Sequence, residues 1–207
     1  MKKKYILTLY LATLTLISFS QESMFYKHSI SVGGGPSLLG KVIDVVASEL
    51  EDSVVEISPR VFPVANLSYD FFTSQHFSIG ASVTFQYMGV TFDDFDYDDK
   101  GTTRSIDASV AIHRINYAIR PLFYYTNTYE LQVYSGFRIG YLSNKLHIKT
   151  DAPGLDEEDF SFKIGARPSF QFVVCGIRYY VSDVVGFHSE LAVGSPYYFN
   201  IGVQFRL

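Results

Sequence analysis

Two histidine-serine neighbours, His28-Ser29 and His188-Ser189, come nearest to a catalytic arrangement in this chain. A serine nucleophile needs a histidine within hydrogen-bond reach to take its proton. Both pairs sit where a strand is expected, and adjacent strand residues point to opposite faces, so neither pair can serve as nucleophile and base. No Gly-x-Ser-x-Gly elbow occurs. His113 and His147 stand alone, and five scattered histidines give no zinc spacing. Asp94, Asp96 and Asp98 are spaced like the opening of a calcium loop, but Asp99 takes the place of the turn glycine and no glutamate closes it. No catalytic, cofactor-binding or metal-binding residue is assigned, and no enzyme activity is expected. The acidic balance, net charge -4, and the lack of a basic patch disfavour nucleic acid.

A second group of charges is more informative. Arg114, Arg120, Arg138, Arg178, Glu130 and Glu190, with Gln204, fall on the polar side of alternating segments. Gathered on one face, such groups either line an ion path or binding site or pair into a structural network. Pairing favours the network, because buried charges persist when paired and hydrogen-bonded.

The segments that hold these residues alternate with period two, as half-buried strands do. In 77–87, Phe77, Ile79, Ala81, Val83, Phe85 and Tyr87 share one face, opposed by Ser78, Gly80, Ser82, Thr84 and Gln86. In 113–123, Ile115, Tyr117, Ile119 and Phe123 oppose Arg114, Asn116 and Arg120. In 130–142, Leu131, Val133, Phe137, Ile139 and Tyr141 oppose Glu130, Gln132, Gly136 and Arg138. Composition agrees: 16 Tyr and 18 Phe in 207 residues make a chain rich in strand formers.

The two ends of the chain say where such strands would work. Lys2, Lys3 and Lys4, an apolar run over 5–17 and the small residues Ser18 and Ser20 read as a cleaved signal peptide over 1–20. The run is shorter than the ~20 residues a membrane-spanning helix needs. One cysteine, Cys175, excludes an internal disulfide framework. At the other end, Ile201, Val203, Phe205 and Leu207 alternate with Asn200, Gly202, Gln204 and Arg206 up to the last residue. An exported chain without a spanning helix can still cross a bilayer as a closed barrel, whose ladder satisfies every backbone group.

The fold expected for 21–207 is therefore all-β: an eight-stranded antiparallel up-and-down transmembrane β-barrel. Its strands are read near 28–36, 57–72, 77–91, 105–124, 130–147, 160–181, 186–195 and 197–207. Short joins at 73–76, 125–129 and 182–185 alternate with longer ones at 37–56, 92–104 and 148–159, the order of periplasmic turns and outer loops. Phe162, Ile164, Phe170, Phe172 and Val174 share a parity that Ile177 and Tyr179 break, which predicts a bulge near Cys175-Gly176. Pro63 and Pro168 are expected at the outer rim and Pro121 at the inner one, because proline removes a ladder donor. Tyr69, Phe71, Phe72, Phe77, Tyr124, Tyr125, Tyr129, Tyr179 and Tyr180 on one side, and Tyr87 and Phe92 on the other, are expected in interfacial girdles.

The stretch 176–181, the turn Ser182-Asp183, the stretch 186–191 and the terminal octet 200–207 resemble the C-terminal part of the small porin-like, or outer-membrane β-barrel domain, family. That resemblance implies a monomeric eight-stranded barrel in the outer membrane. It also implies that Asn200, Gly202, Phe205 and Leu207 form the signal read by the barrel assembly machinery, although Leu207 stands where the family has an aromatic residue. Eight strands enclose side chains or one small ligand, not an aqueous channel.

Arginine on the lipid face would cost ~2–4 kcal/mol near the midplane, so the charged face is expected inside. The three longer joins hold 15 of the 21 acidic residues, and Val42 to Leu50 suits a short surface helix. These loops are expected to be solvated, or to meet lipopolysaccharide phosphates through divalent cations. The function expected is that of a structural, adhesion or interaction protein with a side-chain-filled lumen, needing no cofactor and contacting outer-membrane lipid and lipopolysaccharide. Two rivals stand against it: a lipid A-modifying barrel enzyme, and a secreted soluble barrel with an apolar interior for a small ligand.

Overall fold

The computed structural model describes residues 26–38, 40–42, 45, 56–99, 102–150 and 160–207; the expected signal segment 1–20 lies outside them. Nine strands follow one another: β1 (His28–Gly35), β2 (Glu56–Val61), β3 (Val64–Ser74), β4 (Phe77–Asp99), β5 (Thr102–Asn127), β6 (Leu131–Thr150), β7 (Phe160–Tyr180), β8 (Val185–Gly194) and β9 (Phe199–Arg206). All pair antiparallel in one sheet of order β2-β4-β3-β1-β9-β8-β7-β6-β5, and β4 also pairs with β5. That last pairing closes a ring of eight positions. It removes the sheet edges that hydrocarbon could not satisfy.

The expected strand 57–72 is two strands. Phe62 and Pro63 separate β2 from β3, and both pieces lie along β4, β2 beside Met88 to Asp93 and β3 beside Phe77 to Phe85. Proline has no amide to give the ladder, so the break falls there. The chain recovers quickly, and Phe62 still donates its amide to the Tyr87 carbonyl at 3.0 Å.

The joins expected at 92–104 and 148–159 are largely strand. β4 and β5 run to Asp99 and from Thr102, and β6 runs to Thr150 before β7 resumes at Phe160. The barrel is consequently lopsided. β8 ends at Gly194, opposite Gln171, and the rest of β7 continues past it. In the first long join, helical residues occur at Leu38, Gly40 to Val42 and Val45, starting earlier than expected; 46–50 lie outside the described residues. Ser37 anchors this join, accepting from the Gln86 side chain at 2.6 Å and from the Gly40 amide at 3.0 Å.

Alternation sets the two faces. β3 reads buried, exposed, buried from Val64 to Phe72, and β8 repeats the pattern. Ile119, Ile139, Val193 and Ile201 point outward, 49–65 % exposed, while Arg120, Arg138, Gln171 and Gln204 point inward and are closed from solvent. An apolar exterior around a polar interior is the inverse of a soluble barrel, so the soluble rival is excluded. The expected shift near Cys175 is present: the β7 ladder slips between Val173 and Gly176 against both neighbours, and Ile177 and Tyr179 remain outside. Not every expected girdle aromatic is interfacial. Phe72, Tyr124 and Tyr180 are buried in the lumen, on the inward parity of their strands, whereas Tyr69, Phe71, Tyr125, Tyr129 and Tyr179 are exposed. The Phe92 side chain lies outside the described residues.

Candidate functional site: the charged lumen

Five strands bring the charges together. Asp70 comes from β3, Arg120 from β5, Arg138 from β6, Arg178 from β7 and Glu190 from β8, each on the inward parity. Glu190 lies at the centre. Its Oε1 accepts from Arg120 Nη2 at 2.6 Å and from the Tyr134 hydroxyl at 2.7 Å; its Oε2 accepts from Arg138 Nη2 at 2.6 Å and from the Tyr197 hydroxyl at 2.7 Å. Asp70 is the second acceptor, 3.3 Å from Arg120 Nε and 2.5 Å from Arg178 Nη2. Three arginines thus share two carboxylates, one positive charge in excess (3 − 2 = 1).

Aromatic groups and an amide take some of the other donors, while Arg138 Nε and Arg178 Nε have no hydrogen-bond partner among the described residues. Arg178 donates to the Tyr124 hydroxyl at 2.8 Å and lies over the Tyr134 ring at 4.6 Å; Arg138 donates to Gln171 at 2.7 Å and lies over the Tyr197 ring at 4.8 Å. Cation–π contacts of this kind help offset the excess charge. Glycine makes the room. A Cβ at Gly176 would collide with the Tyr134 ring, and one at Gly80 with the Asp70 carboxylate.

The other expected members are placed apart. Arg114 stands at the long-loop mouth and donates to Gln86 and Ser195, each at 3.2 Å. Glu130, expected in the lumen, is exposed in the turn before β6, where its carbonyl accepts from the Tyr180 amide at 2.8 Å. β6 starts one residue later than the alternation suggested, so Glu130 has no inward side. Asp70 was missed by the sequence reading, although its parity with Asn66 and Ser68 placed it on the polar face.

At the short-turn end the lumen is closed by rings. Phe72, Leu122, Tyr124, Tyr134, Val173 and Ala192 form an apolar cluster. Arg206 lies 3.2 Å over the centre of Tyr180 and near the rings of Tyr26 and Tyr129. The other residues expected in the assembly signal lie along β9 and its end. Asn200 is buried and donates to the Tyr197 hydroxyl at 3.2 Å, Gly202 stands opposite Gly33, and Phe205 and Leu207 are exposed.

The histidine-serine pairs divide between the faces. His188 is inside and Ser189 outside; Ser29 is inside, while His28 reaches Tyr69 at 2.6 Å on the outer side. His113 and His147 are not isolated, since the β5–β6 register brings their ring centroids to 4.8 Å. Among the described residues no group of three metal-binding side chains occurs, and no helix is long and apolar enough to cross a membrane.

No family model and no curated protein matches the chain. Among solved structures it is similar to Ail, the attachment invasion locus protein of Yersinia pestis, in complex with the heparin analogue sucrose octasulfate, at 12 % identity over 88 % of this chain and 96 % of that one, TM-score 0.44. It is similar also to the N-terminal β-barrel domain of Pseudomonas aeruginosa OprF, at 10 % identity over 88 % and 99 %, TM-score 0.42. A third is the translocator domain of the autotransporter NalP from Neisseria meningitidis, at 10 % identity over 99 % and 98 %, TM-score 0.28. A closed eight-position ring with lipid-compatible side chains outside and paired charges inside is the architecture of a transmembrane β-barrel.

Proposed function

We propose that this chain is a non-catalytic interaction protein of the outer membrane, in which the barrel is a sealed anchor and the sheet above the rim does the contacting. The observation that carries this reading is the uneven height of the strands. β4, β5, β6 and β7 continue beyond the short strands β1, β8 and β9, and β7 passes the end of β8 at Gly194. The result is a wall of sheet with a strand edge, and an exposed edge is a template for an extended partner segment. The lumen supports the anchor role. Its arginines, carboxylates and tyrosines are bonded to one another across the bore, which leaves the polar interior filled by side chains. We take the barrel as a monomer, delivered by the assembly machinery through its C-terminal strand.

The test replaces the part of the β4–β5 hairpin above Thr91 and Ser109 with a tight Asn-Gly turn and compares cells carrying the full chain with cells carrying the shortened one. Adherence to matrix-coated surfaces is expected to fall while heat-modifiable mobility, the mark of a folded barrel, is kept. Equal adherence overturns the reading. Planar-bilayer current through the intact chain would overturn the sealed anchor, and a change in lipid A mass on expression would favour the enzyme rival.

A further inference from the structure

The outer surface just above the lipid-facing band carries cations that neither the lumen nor the wall explains. One row across four adjacent strands reads Tyr87, His113, Lys145 and Lys163, each the direct partner of the next. The row above reads Gly89, Ala111, His147 and Ser161, with Arg60 of β2 opposite Gly89. Direct antiparallel partners share a face. Here that face is the outer one, because Tyr87 packs edge-on against His113 at 4.9 Å and His113 against His147 at 4.8 Å, on the side where Phe85, Tyr117 and Tyr141 are exposed.

Lys163 is on this face by virtue of a second irregularity in β7. Counted back from the outward Phe170, regular alternation would turn Lys163 inward. The pair Ser143 with Ala166 is followed by Lys145 with Lys163, so β7 carries one extra residue, and Gly165 within it has φ 42°. A bulge of this kind reverses the parity and sets Lys163 beside Lys145. Like charges placed directly opposite one another destabilise a sheet, unless an anion lies against both. Among the residues whose side chains are described no carboxylate shares the face, since Asp70 and Glu190 are in the lumen and Glu130 and Asp183 lie at the short-turn end; the register puts Glu56 and Asp93 on the same parity, but four positions above Arg60.

Height on the barrel specifies the anion. A tilted strand crosses the hydrocarbon in ~9–11 residues, and β4 covers that distance between Phe77 at the short turn and Tyr87. Phe62, Phe85, Tyr87, Tyr117 and Tyr141 mark the outer interface, and cations beside and just above them stand at headgroup level. We propose that Arg60, His113, Lys145, His147 and Lys163 form a docking site for the phosphate groups of the outer-leaflet glycolipid. The site rests on the orientation of the barrel in its bilayer and not on the interaction role of the wall.

The experiment places the refolded full chain in phosphatidylcholine vesicles doped with bisphosphorylated lipid A or with lipid A stripped of its phosphates. The thermal midpoint of heat-modifiable mobility is read in each. Phosphorylated lipid A is expected to raise the midpoint above the stripped form, and native mass spectrometry is expected to show the lipid retained. In the double variant Lys145→Gln, Lys163→Gln the increment is lost and retention falls roughly thirtyfold, as expected for two lysines at an anionic surface. Lys145→Arg with Lys163→Arg keeps both effects, as does Arg167→Gln, whose position pairs with the inward Leu142. Equal midpoints for the two lipids, or a wild-type response from the glutamine variant, overturns the proposal. An equal rise with inorganic phosphate in lipid A-free vesicles overturns the lipid assignment. The shortened-hairpin protein keeps Tyr87, His113, Lys145 and Lys163, so it retains the lipid A effect whether or not adherence depends on the wall.

Discussion

Arg120 and Glu190 meet at 2.6 Å across the lumen, each 1 % exposed. Glu190 also holds Arg138, so its neutralisation leaves two guanidinium groups sharing nothing but Asp70, Gln171 and rings. Removing one partner of a buried pair costs ~3–5 kcal/mol, because the other charge stays desolvated. Glu190→Gln is expected to lower barrel stability by that order in urea titrations in lipid vesicles. Arg114→Gln, at the mouth and holding only neutral acceptors, is expected to cost ~1–2 kcal/mol. Equal losses for the two variants would show that the lumen network is not the stabilising unit.

How much of this site could be read beforehand depends on which interaction set each position. Arg120, Arg138, Arg178 and Glu190 lie where alternation placed them, because a one-residue slip would carry an arginine into lipid. Glu130 does not, because it falls at a strand start, where parity has no meaning until the turn is fixed. Phe72, Tyr124 and Tyr180 look like girdle residues by type, yet parity alone puts them inside. The meeting of His113 with His147 depends on the register between two strands, which no single strand encodes. Gly165 was hidden for another reason. Above the bilayer Leu146 and Phe162 are partners on the inner side while Lys145 and Lys163 are outside, so the polarity that reveals a face within the membrane is reversed there.

Gly202 separates two explanations of the terminal strand. A Cβ there would strike the Val32 carbonyl and the Gly33 Cα on β1, backbone atoms that cannot swing aside, as well as the His188 ring. Gly202→Ala is therefore expected to weaken the β1–β9 seam that closes the ring, at ~1–3 kcal/mol for overpacking. Phe205→Ala touches the exposed face and leaves that seam intact. In detergent or vesicle refolding without cellular machinery, Gly202→Ala should fold poorly and Phe205→Ala nearly normally. Failure of both variants only in cells would make the octet a recognition signal and not a steric requirement.

Tyr129 lies in the exposed turn before β6, outside the spanning segments, and its hydroxyl donates to the Asp183 carboxylate. That bond holds the phenol above its usual range, with the neutral form favoured in the folded state. A group whose folded pKa is raised stabilises below its unfolded value, ~10 for tyrosine, and that contribution is lost as pH rises through the folded value. Ultraviolet difference titration of the wild type against Tyr129→Phe should isolate one exposed tyrosine that ionises late, apart from the tyrosines sealed in the lumen. That difference signal should move toward ordinary pH in Asp183→Asn; a difference signal at ordinary pH in the wild type would break the assignment.

Gly165 gives the sharpest test of the upper sheet. Its φ of 42° is a left-handed conformation, and a Cβ there would meet no atom within 4 Å. Gly165→Ala should therefore cost only the conformational penalty, ~1–2 kcal/mol, with the bulge intact. Deletion of Gly165 acts differently: it removes the extra residue, and the parity of β7 from Ile164 back to Phe160 is reversed. Lys163 then turns toward the mouth and Phe162 toward the outer face. With the single native Cys175 changed to serine and a cysteine placed at 163, a membrane-impermeant maleimide reports the face through a lipid-attached quencher. The label should lie near the lipid surface in the full-length chain and move away from it in the deletion. The lipid A-dependent rise in thermal midpoint should disappear with it. A label that stays at the surface after deletion would mean that the ladder, and not the bulge, orients Lys163.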